Sequence, residues 1–162
     1  CGSDEKKTAA SEFEILAPVS GELVHLENTN DPAFSSRAVG DGVAVVPQEG
    51  TVCAPVSGTV AALFPTEHAL GIMSDDSSAQ VMLHIGIDTV KLEGKGFHAL
   101  VAQGDHVDAG QPLVEVDFDA VRAAGFDPTV FVIVCERSEN STLREHASGP
   151  VAAKEPVIWL SE

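Results

Sequence analysis

Ala17-Pro18-Val19-Ser20-Gly21 occurs a second time in this chain, unchanged, as Ala54-Pro55-Val56-Ser57-Gly58. Each copy precedes a strand-like run, residues 22–26 after the first and residues 59–63 after the second. Proline fixes φ and has no N–H for a strand ladder, whereas glycine tolerates positive φ, so each copy predicts a sharp corner between strands. Two such corners predict two related β units.

Short apolar segments surround these corners, and 14 Gly and 9 Pro punctuate them. Many short strands with turns between them are typical of sandwiches and barrels. The predicted strands are residues 14–17, 22–26, 43–46, 51–54, 58–64, 69–73, 79–85, 97–102, 112–117, 130–135 and 156–160. The one helix signal has Asp117 as N-cap and Gly125 at the C-terminal end, about two turns apart. The pattern predicts an all-β protein.

Residues 104–113 form a third informative segment (Gly-Asp-His-Val-Asp-Ala-Gly-Gln-Pro-Leu). It resembles the G-x-x-V-x-x-G-x-x-L turn of lipoyl and biotinyl carrier domains, which have sandwich-hybrid folds. A carrier function would need a lysine presented at a hairpin tip. Lys91 and Lys95 lack the flanking residues of those signatures, so only the fold likeness is retained.

Length and charge exclude several classes of protein. The 162 residues correspond to one ordinary domain of about 100–200 residues. With 9 Lys plus Arg against 25 Asp plus Glu, the formal charge is −16, which excludes a basic face for nucleic acid. Apolar runs such as residues 130–135 are far shorter than the roughly 20 residues of a membrane-spanning helix.

The beginning of the chain and its cysteines complete the domain assignment. Residues 1–12 are polar and aperiodic, which predicts a linker or tail before a domain at residues 13–162. Cys53 and Cys135 lie in apolar runs and are expected to be buried thiols without chemistry. Three cysteines do not make a disulfide framework, so a reducing cytoplasm is expected.

His84 is the most informative histidine, because strand alternation places it with Met82 on one face of the strand. By the same alternation, Asp88 would lie on that face as well. The opposite parity holds larger aliphatic side chains, those of Val81, Leu83, Ile85 and Ile87. His84 is therefore expected to stand away from the core. From composition alone, a core histidine with a hydrogen-bonding neighbour is an equal alternative.

His68 follows a proline-containing turn. Thr66 stands two residues before it, so the Thr66 hydroxyl could bond one imidazole nitrogen. Fixing one nitrogen decides what the other can do. Taken alone, His68 is expected to be a half-exposed loop residue. The other four histidines lie in polar or turn contexts and are expected to be solvated: His25, His98, His106 and His146.

Several segments together carry a resemblance. They are residues 15–21 (Ile-Leu-Ala-Pro-Val-Ser-Gly), 31–34 (Asp-Pro-Ala-Phe), 39–44 (Val-Gly-Asp-Gly-Val-Ala), 64–69 (Phe-x-Thr-x-His-Ala), 84–90 (His-Ile-Gly-Ile-Asp-Thr-Val) and 94–97 (Gly-x-Gly-Phe). In this order, and nearly without gaps over about residues 13–162, they resemble the glucose-family enzyme IIA of the bacterial sugar phosphotransferase system. The resemblance implies an antiparallel β-sandwich, a barrel-sandwich hybrid with duplicated β units and at most short helices.

The resemblance also implies a phosphoryl carrier that takes the group from phosphohistidine HPr and passes it to a cysteine of an enzyme IIB domain. His84 would be the phosphorylated residue, His68 the second imidazole beside it, and Thr66 the hydroxyl that orients His68. The remaining matched positions would bind these partners: Asp31 and Asp88 as acidic positions facing a basic partner, and Phe34, Val39, Phe64 and Met82 as an apolar ring.

The match has departures. The family often carries a large apolar residue where Met82 and Ala38 stand, so partner affinity is expected to differ. The charged beginning of the chain does not resemble the amphipathic N-terminal helix of some free-standing members. That start and the Cys1 in place of Met favour the C-terminal domain of a longer permease, at the cytoplasmic face of the membrane and attached to it only through a fused or associated permease.

The residue chemistry supports this interpretation independently of the family. A neutral imidazole nitrogen is a competent nucleophile for phosphoryl transfer, and a second imidazole N–H can hydrogen-bond a phosphoryl oxygen. The segment Gly94-Lys95-Gly96-Phe97 lacks the residues of a phosphate-binding loop, so ATP is not the expected donor. No cofactor is expected to be required, although His68 and His84 together could bind zinc weakly.

Two alternatives stay open. His84 and Asp88 reproduce the H-x-x-x-D pair of sandwich-hybrid zinc peptidases, but the second H-x-H element is missing. A purely regulatory module could dock on other proteins through the same face, and this role would coexist with phosphoryl transfer.

Overall fold

The computed structural model describes residues 12–76 and 79–161, so Cys1 and nearly all of the predicted 1–12 linker lie outside the described residues. The strands are β1 (Glu12–Leu16), β2 (Gly21–His25), β3 (Asp41–Pro47), β4 (Thr51–Cys53), β5 (Gly58–Leu63), β6 (Ala69–Ser74), β7 (Ala79–Ile85), β8 (Phe97–Ala99), β9 (His106–Val107), β10 (Pro112–Val116), β11 (Val130–Arg137), β12 (Thr142–Glu145), β13 (Gly149–Val151) and β14 (Pro156–Ser161). The helices are α1 (Pro32–Ser35), α2 (Phe118–Ala123) and two 3-10 turns, Leu26–Asn28 and Thr89–Leu92.

In the described part of the chain the strands form three sheets, and their pairings are antiparallel. The eight-stranded sheet has the order β13-β2-β3-β11-β7-β6-β5-β9, and the two three-stranded sheets have the orders β1-β14-β12 and β4-β10-β8. The order is symmetric about the centre of the large sheet, so that the strands of the two halves correspond in position: β13 to β9, β2 to β5, β3 to β6 and β11 to β7. The predicted all-β sandwich of duplicated units is confirmed.

The two Ala-Pro-Val-Ser-Gly corners hydrogen-bond to each other. The Leu16 N–H donates to the Pro55 carbonyl at 2.9 Å, and the Cys53 N–H donates to the Pro18 carbonyl at 2.7 Å. Leu16 precedes its corner by the same number of residues as Cys53 precedes the other, and Pro18 corresponds to Pro55. The two bonds are therefore equivalent under a local two-fold relationship.

The same relationship extends to the turns that close the corners. The Gln111 N–H donates to the Asp108 carbonyl at 2.9 Å, and the Glu155 N–H donates to the Ala152 carbonyl at 3.1 Å. Each turn is also held to its own corner through a serine: Ala109 N–H bonds Ser57 Oγ, and Ala153 N–H bonds Ser20 Oγ. The carrier-like segment 104–113 is thus a structural turn with a second copy near the end of the chain.

The corner glycines serve a different purpose from the one that the sequence suggested. Neither Gly21 nor Gly58 has a positive φ. A Cβ atom on Gly21 would lie 2.0 Å from the Val46 carbonyl oxygen, and one on Gly58 would lie 2.0 Å from that of Met73. Glycine is therefore needed at these corners for the close approach of the neighbouring strand, and its tolerance of positive φ is not used.

Alternation along the large sheet produces two apolar clusters. The inward side chains pack against the two small sheets as the main core. The other face of the central strands carries a second cluster, made of Leu26, Phe34, Ala44, Phe131 and Ile133 with Val24, Met82, Ile87 and Cys135 against it. The first 3-10 turn and α1 contribute Leu26 and Phe34 to this cluster, so the outer face is covered there and can hold a partly buried site.

The predicted helix is confirmed as α2, with Asp117 accepting from the Ala120 N–H at 3.0 Å and Gly125 at φ 90° after its end. Strands β9, β12 and β13 were not predicted, and neither was α1, because elements this short show no periodicity. Within residues 12–76 and 79–161, no helix is long and apolar enough to cross a membrane.

Candidate functional site

His84 lies on the outer face of β7, as the alternation predicted. The side chains of β7 alternate in burial, and the inward aliphatics Val81, Leu83 and Ile85 are fully buried. The His84 ring packs against Phe34, with ring centroids 5.2 Å apart, and lies 6.3 Å from Phe131 on the adjacent strand.

The turn after β7 fixes the protonation of the His84 ring. Nδ1 of His84 lies 2.8 Å from the Gly86 carbonyl oxygen, which can only accept, so Nδ1 carries the proton and Nε2 keeps its lone pair. Gly86 has φ 81°, and a Cβ there would lie 2.4 Å from Thr89 Cγ2. Thr89 Oγ1 in turn donates to the Ile85 carbonyl, which closes the turn.

Two parity predictions fail in this turn, because β7 ends at Ile85. Ile87 was expected on the core face, but it packs against the second cluster on the side of His84. Asp88 is not a strand residue with His84 parity: it has φ 62° and precedes the second 3-10 turn. It is nevertheless close enough to His84 for its charge to act on that imidazole.

The protein holds His84 neutral at physiological pH. Burial lowers the pKa of His84, and this effect exceeds the opposing effects of the Gly86 hydrogen bond and of the negative charges on Asp31 and Asp88. A neutral ring with a fixed Nδ1–H presents Nε2 as a nucleophile or metal ligand.

His68 lies in the five-residue connection between β5 and β6, called here the His68 loop (residues 64–68). Its side chain is 3% exposed, so the expectation of a half-exposed loop histidine was wrong. Nδ1 of His68 lies 2.5 Å from Thr66 Oγ1, which is the predicted contact. Burial, and to a smaller extent the nearby His84, lowers the pKa of His68 to about 4, so this ring is also neutral at pH 7.

The fold brings His68, at the end of its loop, next to His84 on β7. Ala69 pairs with His84 in the β6–β7 ladder, and the Ile85 N–H donates to the His68 carbonyl at 2.7 Å. The two imidazole rings meet edge to face, with centroids 5.1 Å apart and planes at 85°. Both rings are thus fixed by their neighbours and free of positive charge.

Aromatic and acidic residues surround this pair. Phe34, on α1, is buried between His84 and Phe131, and Phe64 meets His68 edge-on with 48% of its surface exposed. Met82 packs on the second cluster beside His84. Phe131 was not singled out from the sequence, since its run 130–135 reads only as a buried strand.

The remaining predicted positions lie at the edge of this region. Val39, in the connection from α1 to β3, is 39% exposed. Asp31 is the N-cap of α1 and accepts from the Ala33 N–H at 3.0 Å. Asp31 and Asp88 both act electrostatically on His84, so the rim of the site is acidic. The partner-binding role of these residues stays a prediction.

Three of the four histidines expected to be solvated have structural partners. His106 lies 3.0 Å from the Asp75 carboxylate, which raises the pKa of His106. His146 stacks on Trp159 and lies 3.3 Å from Glu155. The Nε2–H group of His25 donates to the His146 carbonyl at 3.0 Å.

The predicted zinc pair, His68 and His84, does not belong to a larger ligand cluster. Across residues 12–76 and 79–161, no group of three or more His, Cys, Asp or Glu side chains is arranged to hold an ion. A structural or catalytic zinc site has three or four protein ligands. Weak binding of zinc between His68 and His84 stays a prediction, which calorimetry on wild type and His68→Ala would test.

The chain is similar to known proteins over nearly its whole length. The glucose-specific EIICBA component of Streptococcus pneumoniae is 42% identical over 144 residues, which cover 89% of this chain and 20% of that protein. The beta-glucoside-specific EIIBCA component of Bacillus subtilis is 40% identical over 161 residues, 99% of this chain and 26% of that protein. The chain thus spans about a fifth to a quarter of these curated relatives.

A solved structure agrees. Glucose permease IIA from Mycoplasma capricolum superposes with a TM-score of 0.83 at 34% identity, covering 91% of this chain and 95% of that one. The family model described as phosphoenolpyruvate-dependent sugar phosphotransferase system, EIIA 1, matches residues 13–140. By this match and these identities, the chain belongs to the EIIA 1 family, the phosphotransferase components of the phosphoenolpyruvate-dependent sugar phosphotransferase system.

Proposed function

We propose that this domain carries a phosphoryl group on Nε2 of His84, taken from phosphohistidine HPr and donated to a cysteine of an enzyme IIB domain. The observation that carries the proposal is the hydrogen bond from His84 Nδ1–H to the Gly86 carbonyl, which leaves Nε2 unprotonated and its lone pair available. Uptake forms an Nε2–P bond while the N–P bond of phospho-HPr breaks and its electron pair returns to the HPr imidazole. Donation forms an S–P bond to the cysteine thiolate while the Nε2–P bond breaks.

The second imidazole supports both steps. With Nδ1 of His68 accepting from the Thr66 hydroxyl, the Nε2–H of His68 is available to donate to a phosphoryl oxygen. Such a charge-assisted hydrogen bond contributes about 1.5–3 kcal/mol. The low pKa of His68 keeps this donor uncharged in the resting domain. The chemistry needs no cofactor, because positioned imidazoles supply the nucleophile and the donor.

The relatives support the proposed partners. Their names, EIICBA and EIIBCA, join the A component with B and C components in one protein. An enzyme IIB domain is therefore the proposed acceptor, and membrane association would come through a fused or associated permease. Relatives of similar identity are named for glucose and for beta-glucosides, which supports a sugar choice made outside this domain.

The zinc peptidase alternative has less support. His84 and Asp88 have the predicted spacing, but Asp88 lies in a left-handed turn, and a peptidase would need a third ligand near them. A regulatory docking role uses the same surface as phosphoryl transfer and remains compatible with it.

The test is phosphorylation with phosphoenolpyruvate, enzyme I and HPr, followed by intact-mass analysis. One phosphoryl adduct is expected on wild type, labile to acid and stable to alkali, and none on His84→Ala. His106→Ala is the matched control, since His106 is an exposed histidine whose imidazole contacts Asp75. A stoichiometric adduct on His84→Ala, or none on wild type, would overturn the proposal.

A further inference from the structure

Glu67, between Thr66 and His68, has a backbone conformation that its residue type does not favour. Its φ is 63°, in the left-handed region. Only glycine, and less often asparagine or aspartate, adopts this region readily, so other contacts must compensate for the strain of a glutamate there. No residue pattern in the sequence singles out Glu67.

The unusual conformation shapes the His68 loop. In an extended strand, residues two apart have Cα atoms about 7 Å from each other. The Glu67 N–H instead donates to the Phe64 carbonyl at 2.8 Å, and the Phe64 N–H donates to the Ala69 carbonyl at 3.0 Å. The loop therefore curls at Glu67, which allows Thr66 Oγ1 to reach the ring of His68.

The Glu67 side chain fastens this turn to another sheet. Its Oε1 accepts from the Ala99 N–H at 2.6 Å, in a partly buried position. Ala99 is the last residue of β8, an edge strand of the β4-β10-β8 sheet. Its N–H can therefore donate to a side chain outside the sheet. A charged acceptor on a backbone N–H makes one of the stronger hydrogen bonds in proteins.

We propose that Glu67 is a positioning residue for His68: its hydrogen bond to Ala99 holds the loop in the left-handed turn that keeps His68 against Thr66 and beside His84. The role rests on the proposed phosphoryl transfer. The carboxylate itself touches no reacting atom. Its effect reaches the site through the backbone on either side of residue 67.

Three substitutions separate the side-chain hydrogen bond from the backbone conformation. Glu67→Gln keeps an oxygen acceptor of the same length, Glu67→Ala removes the acceptor and keeps the strained φ, and Glu67→Gly removes the acceptor and the strain. Glu93→Ala is the matched control, because Glu93 is an exposed glutamate that also has a left-handed φ, 56°.

Hydrogen exchange and imidazole ¹⁵N spectra of the unphosphorylated domain test the structural step without any activity. In Glu67→Ala and Glu67→Gly we expect the Ala99 amide to exchange on the order of tenfold faster. We also expect the His68 ring to lose the ¹⁵N signature of its Thr66 hydrogen bond. Glu93→Ala should match wild type in both measurements, and Glu67→Gln, which keeps a weaker, uncharged acceptor, should lie between wild type and Glu67→Ala.

Single-turnover donation to an enzyme IIB domain tests the consequence. Loss of His68 positioning should slow donation by about tenfold to a hundredfold in Glu67→Ala, with partial rescue by Gln. If wild type transfers phosphoryl groups and Glu67→Ala leaves the spectra and the donation rate unchanged, the inference is overturned while the proposed function stands. If wild type accepts no phosphoryl group, the proposed function fails. The hydrogen-exchange data then still show whether the Glu67–Ala99 hydrogen bond holds the His68 loop.

Discussion

The imidazole rings of His68 and His84 meet edge to face at a centroid distance of 5.1 Å, although one belongs to a loop and the other to a strand. Each ring is held by a different kind of partner: a hydroxyl at His68, which can donate or accept, and a carbonyl at His84, which can only accept. The two rings are therefore not interchangeable, since His84 has one allowed neutral tautomer and His68 has two.

This difference predicts separate effects of substitution at His68. His68→Gln keeps an N–H donor but cannot change its protonation, so it should accept the phosphoryl group from HPr and donate it poorly, whereas His68→Ala should impair both steps. Rates of single-turnover transfer in each direction measure this. Equal slowing of the two half-reactions in His68→Gln would make His68 only a positioning residue.

The lowered pKa of His68 predicts a pH dependence of stability. In the unfolded chain His68 binds its proton near pH 6.5, and in the folded domain only near pH 4. Between these values the unfolded state holds more protons, so the free energy of unfolding falls as the pH falls from about 6.5 to about 4. The full shift corresponds to about 3 kcal/mol.

Thermal denaturation between these pH values isolates the contribution. His68→Gln should lose stability less steeply than wild type on acidification, because glutamine has no proton to bind. Parallel curves for the two proteins would show that His68 titrates normally in the folded domain.

The acidic rim predicts an effect on encounter with HPr. Asparagine can still cap α1 at position 31 and tolerates the left-handed φ at position 88, so Asp31→Asn with Asp88→Asn removes charge while keeping both turns. Phosphoryl uptake from HPr should slow and become less dependent on salt, since rim charges mainly set association rates. An unchanged uptake rate at low ionic strength would contradict this docking face.

The corner glycines predict an unusually severe effect of one methyl group. Gly58→Ala would place Cβ 2.0 Å from a backbone oxygen and should destabilise the domain by about 3 kcal/mol or more. Gly71→Ala is the control on the neighbouring strand, because its Cβ would meet nothing nearer than 3.9 Å. Urea denaturation of both variants should separate them clearly, and similar midpoints would refute the close-approach explanation.

Arg37, which follows α1, is the centre of an ion-pair network that is expected to stabilise the domain. Its guanidinium bonds both oxygens of Glu145, at 2.8 and 3.3 Å, and also reaches Glu27 and Asp41, which raises the pKa of Arg37. Glu145→Gln should cost about 1.5–3 kcal/mol, because the Glu145 side chain is 15% exposed. Glu27→Gln, at a side chain 57% exposed, should cost less than about 1 kcal/mol by the same denaturation assay. Equal costs would argue against a special role for the Arg37–Glu145 pair.

The sequence predicted those parts of the site that follow from alternation and spacing. The outward position of His84 follows from the period of two in β7. The spacing of Thr66 and His68 suggested their contact, but the left-handed turn at Glu67 that brings the two side chains together was not predictable. Burial of His68 was not predictable, since it depends on Phe64, His84 and the β7 ladder packing around the loop. The position of Ile87 was missed because Gly86 ends the strand at a point where the apolar alternation continues.

The hydrogen bonds that complete the two corners have a consequence for how the domain folds, because they join segments far apart in the sequence. The corner at Ala17 is completed by Glu155, near the end of the chain, and the corner at Ala54 by Gln111. Pairings between distant segments raise the contact order and slow folding. Among the described residues, β1 pairs only with β14, so the corner at Ala17 cannot be completed on the ribosome until β14 has been synthesised.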